Sequence, residues 1–211
     1  MTDTISRESD LITSSLALHP EAQDLLFLSA HTPNTFTADE VSPEQLRAVH
    51  ELIKWAPTSM NTQPLRVVLV QRGEGRDRLV PLMSEGNRAK TSTAPLVAIL
   101  AADNRFHEEM PDVWPAGGEQ IRDNLDGSPE TRREMALVST GLQIGYFILG
   151  VRAAGLAAGP MTGFDAEAAS REFFPDGDHL ARVVVNIGQP GPDAFRPRNP
   201  RLSFEQVYSV V

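Results

Sequence analysis

The chain has 211 residues, of which 28 are acidic and 19 are basic, so its formal net charge is −9 at pH 7. This length suits one folded domain, residues 1–211, and an acidic surface disfavours broad binding to nucleic-acid phosphates. The sequence contains no cysteine, which excludes disulfides, thiol nucleophiles and cysteine-ligated zinc.

Two stretches bear on location. Residues 1–8 lack the basic start and apolar run of a secretory signal. Residues 135–151 approach the length of a membrane span, but they contain serine, threonine, glycine and glutamine, which favours a buried helix. We expect a cytoplasmic protein.

The first elements in chain order are helical. Leu11–Leu18 and Glu21–Ser29 are predicted as short helices, and an irregular segment follows at residues 31–40.

The next helix has the clearest signals in the chain. Ser42 suits the N-cap, Pro43 suits the first helical position, and Gln45 is placed to complete a capping box. Apolar residues recur at helical spacing as far as Ala56, and Pro57 is expected to end the helix.

Three apolar runs predict strands, at Leu65–Gln71, Leu96–Ala102 and Arg182–Ile187. A short helix is predicted at Arg76–Met83. A long helix at Pro129–Ala154 is apolar on nearly every side, so it must be covered all round. We infer that a second subunit supplies part of that cover.

Several common motifs are absent from the sequence. It has no dinucleotide-binding Gly-x-Gly-x-x-Gly, no phosphate-binding loop, no serine-hydrolase elbow and no histidine pair with zinc-ligand spacing. We therefore expect no metal site, and the carboxylates do not single out an acid/base pair.

Four polar segments do not suit simple core packing, and each leaves two interpretations open. Residues 56–64 either bind a ring and a polyol or cap a turn. Residues 86–90, if helical, place Asn87 and Lys90 on one face, where a lysine either stabilises negative charge on a ring or is solvated.

The other two segments follow the long helix. Residues 157–165 are small enough for the backbone to approach a flat ligand, or they connect two helices, with a short one opening at Asp165. Residues 196–201 contain three arginines, which either hold a phosphate or form a solvated basic tail. The prolines of residues 190–211 predict an extended arm.

In this order the four segments resemble the nitroreductase family of FMN-dependent oxidoreductases, and most closely its malonic semialdehyde reductase branch. The resemblance covers the chain from Leu25 onward. Its most specific pieces are Lys54-Trp55-Ala56-Pro57-Thr58-Ser59-x-Asn61-x-x-Pro64, Gly86-Asn87-x-x-Lys90-Thr91-x-Thr93-Ala94-Pro95, Gly159-Pro160-Met161-Thr162-Gly163-Phe164-Asp165 and Pro200-Arg201-Leu202-Ser203-Phe204-Glu205.

The resemblance implies an α+β fold, a three-layer α/β/α sandwich around a mostly antiparallel sheet. It also implies a homodimer built on the long central helix, with FMN at the subunit interface. Lys90 and the amides of Thr162 and Gly163 would be the catalytic groups. The implied cofactor-binding residues are His31, Thr32, Asn34, Pro57, Thr58, Ser59, Asn61, Gln63, Asn87, Lys90, Pro160, Met161, Thr162, Gly163, Arg196 and Arg198.

One segment departs from the family pattern. The branch has a sequence resembling Arg-Thr-His-Asn-x-aromatic, whereas this chain has His31-Thr32-Pro33-Asn34-Thr35-Phe36. Losing a charged phosphate contact costs about 1.5 to 3 kcal/mol, so weaker FMN binding is expected unless Arg196 and Arg198 compensate.

The implied activity is transfer of reducing equivalents from NADH or NADPH, through FMN, to a small acceptor. Malonic semialdehyde, reduced to 3-hydroxypropanoate, is the acceptor that the closest branch suggests. The alternatives are a nitroaromatic, quinone or enone acceptor, or a flavin-poor binding or regulatory protein on the same scaffold. The sequence does not distinguish NADH from NADPH.

Overall fold

The computed structural model describes residues 16–211. Its centre is a four-stranded sheet in the order β1-β2-β4-β3, and every neighbouring pair of strands is antiparallel. The strands are β1 Leu65–Val70, β2 Leu96–Asp103, β3 Ala157–Met161 and β4 His179–Gly188. The α-helices are α1 Pro20–Gln23, α2 Pro43–Ile53, α3 Glu74–Leu79, α4 Glu85–Thr93, α5 Met110–Val113, α6 Gly118–Asp126, α7 Pro129–Ala153, α8 Ala166–Phe173 and α9 Phe204–Val207.

Helices cover both faces of the sheet. Along β2, Ile99 belongs to an apolar cluster that includes residues of α3 and α8, whereas Leu100 belongs to a cluster with residues of α2 and α7. Because successive strand residues point to opposite faces, every residue of β2 is buried. The expected α+β three-layer sandwich is confirmed.

The capping of α2 is confirmed, but its predicted end is wrong. The backbone N–H of Gln45 donates to Ser42 Oγ (3.2 Å), and Gln45 Oε1 accepts from the Ser42 N–H (3.1 Å). The helix ends at Ile53 rather than at Pro57. The Ala56 N–H donates to the Ile53 carbonyl (3.0 Å), so a tight turn ends the helix before the proline is reached.

The long helix α7 is confirmed, and by length and composition alone it could cross a membrane. In the described structure its residues Phe147 and Val151 pack in the core against the sheet. A buried polar side chain also connects it to the start of β1, since Gln143 Oε1 accepts from the Leu65 N–H (2.9 Å). These contacts are those of a core helix.

Residues 157–161 were predicted as a connection or a ligand-approaching loop, but they form the edge strand β3. Gly159 lies opposite Asn186 of β4, and Met161 lies opposite Val184. Pairing with β4 overrides the weak strand propensity of this Ala- and Gly-rich segment, and an edge strand tolerates Pro160. The predicted helix at Asp165 is confirmed, because Asp165 caps α8 by accepting from the Ala168 N–H (2.9 Å).

The remaining predictions agree with the structure to within a few residues or fall outside it. The predicted helix Leu11–Leu18 lies mostly outside the described residues, and residues 16–18 do not form a helix. The predicted helix Glu21–Ser29 is α1 followed by a π-helical turn at Asp24–Leu28. Beyond β4 the chain is irregular apart from α9, as expected of an arm.

Candidate functional site

The start of α4 meets the loop that follows β3. Asn87 Nδ2 donates to the carbonyl oxygen of Gly163 (2.9 Å), and the Ser84 N–H donates to the same oxygen (3.0 Å). A Cβ at residue 163 would lie 2.7 Å from Asn87 Nδ2, so a side chain there would displace the amide. Two of the predicted segments are therefore in contact. Ser84 was missed by the sequence analysis, although its place before α4 marks it as a helix-capping residue.

Lys90 lies one turn further along α4 and is half-buried. Burial lowers the pKa of its ammonium below the usual lysine value, and the positive charge of Arg196 lowers it further. The arm thus brings a second cation towards α4. Neither side chain forms an ion pair with a carboxylate among the described residues.

A second pair of cations lies beside His31. Arg198 donates to the carbonyl oxygens of Leu28 and Ala30, the latter at 2.9 Å, and its Nη2 lies 3.4 Å from His31 Nδ1. Arg152 was not predicted, and its Nη1 donates to the Leu26 carbonyl (2.9 Å). Burial lowers the pKa of Arg152, and the nearby charge of Arg198 adds to that effect.

Arg152 had no distinguishing signal in the sequence. It is the basic residue of the last turn of α7, where a cation is ordinary because it interacts favourably with the helix dipole.

The segment that departs from the family pattern pairs with the arm. The Asn34 N–H donates to the Ala194 carbonyl (2.8 Å), and the ring of His31 lies 5.3 Å from that of Phe195. Pro33 is buried, whereas Thr32 is exposed. A cavity of about 520 Å³ opens here, lined in part by His31, Arg152, Ala157, Ala158 and Phe195.

The segment Pro57–Gln63 makes its described contacts elsewhere. The Ser59 N–H donates to Ser139 Oγ on α7 (3.3 Å), and Asn61 Nδ2 donates to the Val113 carbonyl (2.9 Å). Within the segment, the Gln63 N–H donates to Thr58 Oγ1 (3.3 Å). These bonds hold the segment against α7 and α5, whereas residues 86–90 and 157–165 contact each other through Asn87 and Gly163.

The backbone of this segment is strained. Met60, Asn61 and Gln63 have positive φ values of 52°, 57° and 43°. A residue other than glycine in this region costs about 1 to 3 kcal/mol, and such strain is concentrated at functional sites. This conformation favours the ligand-binding interpretation of residues 56–64 over that of a simple capped turn.

The chemistry of the site fits a flat, anionic ligand such as FMN. Four cations, Lys90, Arg152, Arg196 and Arg198, lack carboxylate partners within the described residues, although the chain is acidic overall. A phosphate would neutralise charge that the protein leaves unpaired. Because Gly163 has no Cβ, the Asn87 amide packs directly against the backbone of this loop.

Comparison with known proteins decides the family. The model of the nitroreductase family matches residues 29–188. The chain belongs to the nitroreductase family. Among its relatives in that family is a Streptomyces griseus protein provisionally named NADH dehydrogenase/NAD(P)H nitroreductase. The two are 56% identical over 197 residues, covering 93% of this chain and 100% of the relative.

Solved structures of other nitroreductases have the same fold. One from Bacillus subtilis, provisionally named a nitroreductase, superposes with a TM-score of 0.81 at 20% identity, covering 92% of this chain and 100% of that one. One from Exiguobacterium sibiricum, provisionally named likewise and solved in complex with FMN, gives 0.77 at 19% identity, covering 90% and 96%. At such identities the likeness establishes the fold.

Proposed function

We propose that this member of the nitroreductase family is a cytoplasmic NAD(P)H-dependent FMN oxidoreductase that acts as a homodimer. The observation that carries the proposal is made at α4. Asn87 there contacts the backbone of Gly163, and Lys90 lies near enough to Arg196 to feel its charge. Within residues 16–211 neither cation forms an ion pair with a carboxylate. FMN, when bound, supplies the exchange of a hydride between the nicotinamide and the acceptor.

The side chains of the site bind, orient and stabilise. Arg196 and Arg198 would bind the phosphate, helped by Arg152. Asn87 and the loop at Gly163 that it contacts would orient the ring. Lys90 would stabilise negative charge at the N1/O2 edge, and the Thr162 and Gly163 amides would face N5, so no side-chain nucleophile is required.

The partner subunit would complete the site. Val138, Leu142 and Tyr146 form an exposed apolar stripe along α7, with side chains one turn apart. We propose that this stripe is the subunit interface. Pro57, Thr58, Ser59, Asn61 and Gln63 would then reach the FMN site of the other protomer, which accounts for their separation from the remaining site residues.

The acceptor is the finer part of the proposal. The four sequence motifs favour malonic semialdehyde, reduced to 3-hydroxypropanoate. The name of the Streptomyces griseus relative favours a nitroaromatic, and a quinone or enone remains a further candidate. All are small enough to occupy the face of the ring after the nicotinamide leaves.

Visible absorption tests the proposal directly. The purified protein is titrated with FMN, made anaerobic and treated with NADPH and then NADH, and each acceptor is added to the reduced protein. We expect FMN uptake, bleaching by a reduced nicotinamide and recovery of colour with the true acceptor. A protein that takes up no FMN and consumes no reduced nicotinamide would contradict the proposal and favour the binding or regulatory alternative.

A further inference from the structure

We propose that Thr91 and Asn186 are positioning residues that fix Lys90 relative to the Thr162–Gly163 loop. The inference rests on the proposed function. Neither residue lies at the surface, since Thr91 is 0% and Asn186 1% exposed. They act through their neighbours in sequence and in the sheet rather than by touching the ligand.

Three buried polar atoms link the two flavin-facing segments. Asn186 Nδ2 donates to Thr91 Oγ1 (3.4 Å), and both the Asn186 amide and the Thr91 hydroxyl lie 4.0 Å from Met161 Sδ. Thr91 directly follows Lys90, and Met161 directly precedes Thr162. Through these buried contacts Lys90 is connected to the Thr162–Gly163 loop.

The cost of this arrangement indicates a purpose other than stability. Asn186 Oδ1 has no hydrogen-bond partner among the described residues, and its neighbours on the same face of the sheet are apolar core residues. A buried acceptor left unpaired is destabilising, and an apolar side chain would pack there without that penalty. Buried polar networks instead specify one geometry out of several well-packed ones.

Geometry matters here because Coulomb energy depends on distance. An ammonium moved by about 1 Å from contact with a developing negative charge loses enough stabilisation to change an equilibrium several-fold. Weakening the Thr91–Asn186–Met161 contacts should therefore disfavour reduced FMN relative to oxidised FMN, whether or not the fold is destabilised.

The test is the midpoint potential of bound FMN, measured anaerobically against reference dyes on the FMN-loaded protein. Thr91→Val removes the hydroxyl at constant shape, and Asn186→Leu removes the amide. Thr91→Ser keeps the hydroxyl and removes only the methyl group. Thr140→Val is the matched control, because Thr140 is also 0% exposed and its hydroxyl has no partner among the described residues.

We expect Thr91→Val and Asn186→Leu each to shift the equilibrium about tenfold towards oxidised FMN, which is about 30 mV for a two-electron couple. Thr91→Ser and Thr140→Val should shift it less than about twofold. The double variant Thr91→Val/Asn186→Leu should have the same midpoint potential as either single variant, because both substitutions break the same chain of contacts.

Wild-type potentials in both single variants, additive shifts in the double variant, or an equal shift in Thr140→Val would overturn the inference. If Asn186→Leu fails to fold, Thr91→Val against Thr91→Ser decides. A wild-type protein that takes up no FMN would overturn the proposed function together with this inference, whereas normal FMN reduction with unshifted variants would overturn this inference alone.

Discussion

The side-chain amide of Asn87 occupies the space that a Cβ would need at Gly163. Its Nδ2 lies 2.9 Å from the Gly163 carbonyl oxygen and 2.7 Å from the position of such a Cβ. This contact orients Asn87, and a side chain at residue 163 would displace its amide. Helix α4 and the loop after β3 are coupled at the point where the proposed ring would lie.

Gly163→Ala should weaken FMN binding about three- to tenfold, because the added methyl group displaces the Asn87 amide and breaks one hydrogen bond. Titration of the FMN-free protein by flavin fluorescence measures the change. Gly86→Ala is the control, since a Cβ at that position of α4 would meet nothing within 4 Å. Equal affinities in the two variants would separate the contact from FMN binding.

The affinity for FMN should depend on the charge of Lys90. An ammonium is charged below its pKa, and burial together with Arg196 places that pKa below the usual 10.5 in the FMN-free protein. As the pH rises, affinity should therefore begin to fall earlier than an ordinary lysine would allow. Lys90→Arg keeps its charge and should remove this early fall. A fall that persists unchanged in Lys90→Arg would come from other groups.

His31→Arg should raise FMN affinity about tenfold or more, since it adds a guanidinium beside Arg198 and Arg152. Without FMN the same change should lower the melting temperature, because a third cation joins Arg198 and Arg152, which form no ion pair with a carboxylate of the described chain. Calorimetry with and without FMN separates the two effects. His50→Arg, on the exposed face of α2, controls for the added charge. Unaltered affinity in His31→Arg would remove residue 31 from the phosphate site.

Elements specified by nearby residues could be predicted from the sequence. The capping box of Ser42 and Gln45 involves groups three residues apart, and the buried run of β2 is apolar throughout. Strand β3 could not be identified in this way. Its strand conformation depends on pairing with β4 across an intervening helix, and its own composition predicts a loop.

The same distinction applies to the residues of the site. Asn87, Lys90 and the loop at Gly163 carry recognisable residue types in order along the chain. Arg152 and Asn186 do not, because an arginine at a helix end and an asparagine in an apolar strand acquire their roles only from tertiary neighbours. For Asn186 those neighbours are Thr91, 95 residues away in sequence, and Met161, 25 residues away.

Arg76→Ala should destabilise the fold by about 3 to 5 kcal/mol and lower the melting temperature by about 10 °C. Arg76 is 3% exposed, and its guanidinium donates to the carbonyl oxygens of Thr91 (2.7 Å), Ala94 (2.7 Å) and Val70 (2.8 Å). Burial lowers its pKa to about 10. The substitution would remove the donor of these three buried hydrogen bonds.

Arg78→Ala is the control on the same helix. Arg78 forms an exposed ion pair with Glu172 (3.0 Å), and such pairs contribute about 0 to 1 kcal/mol. Chemical denaturation compares the two variants. Similar losses of unfolding free energy would mean that the carbonyl contacts of Arg76 are not what stabilises the end of α4.

Leu142→Glu should convert the protein to a monomer and abolish FMN binding together. Leu142 is 48% exposed at the middle of the α7 stripe, and a carboxylate there would be buried without a partner in a dimer. Light scattering gives the mass, and flavin fluorescence gives the affinity. Leu142→Met keeps the apolar surface and should remain dimeric with FMN bound. A monomeric wild-type protein would contradict the homodimer, and a dimeric Leu142→Glu variant would place the interface elsewhere. A monomer that still binds FMN would show that Pro57–Gln63 of a partner is not needed to complete the site.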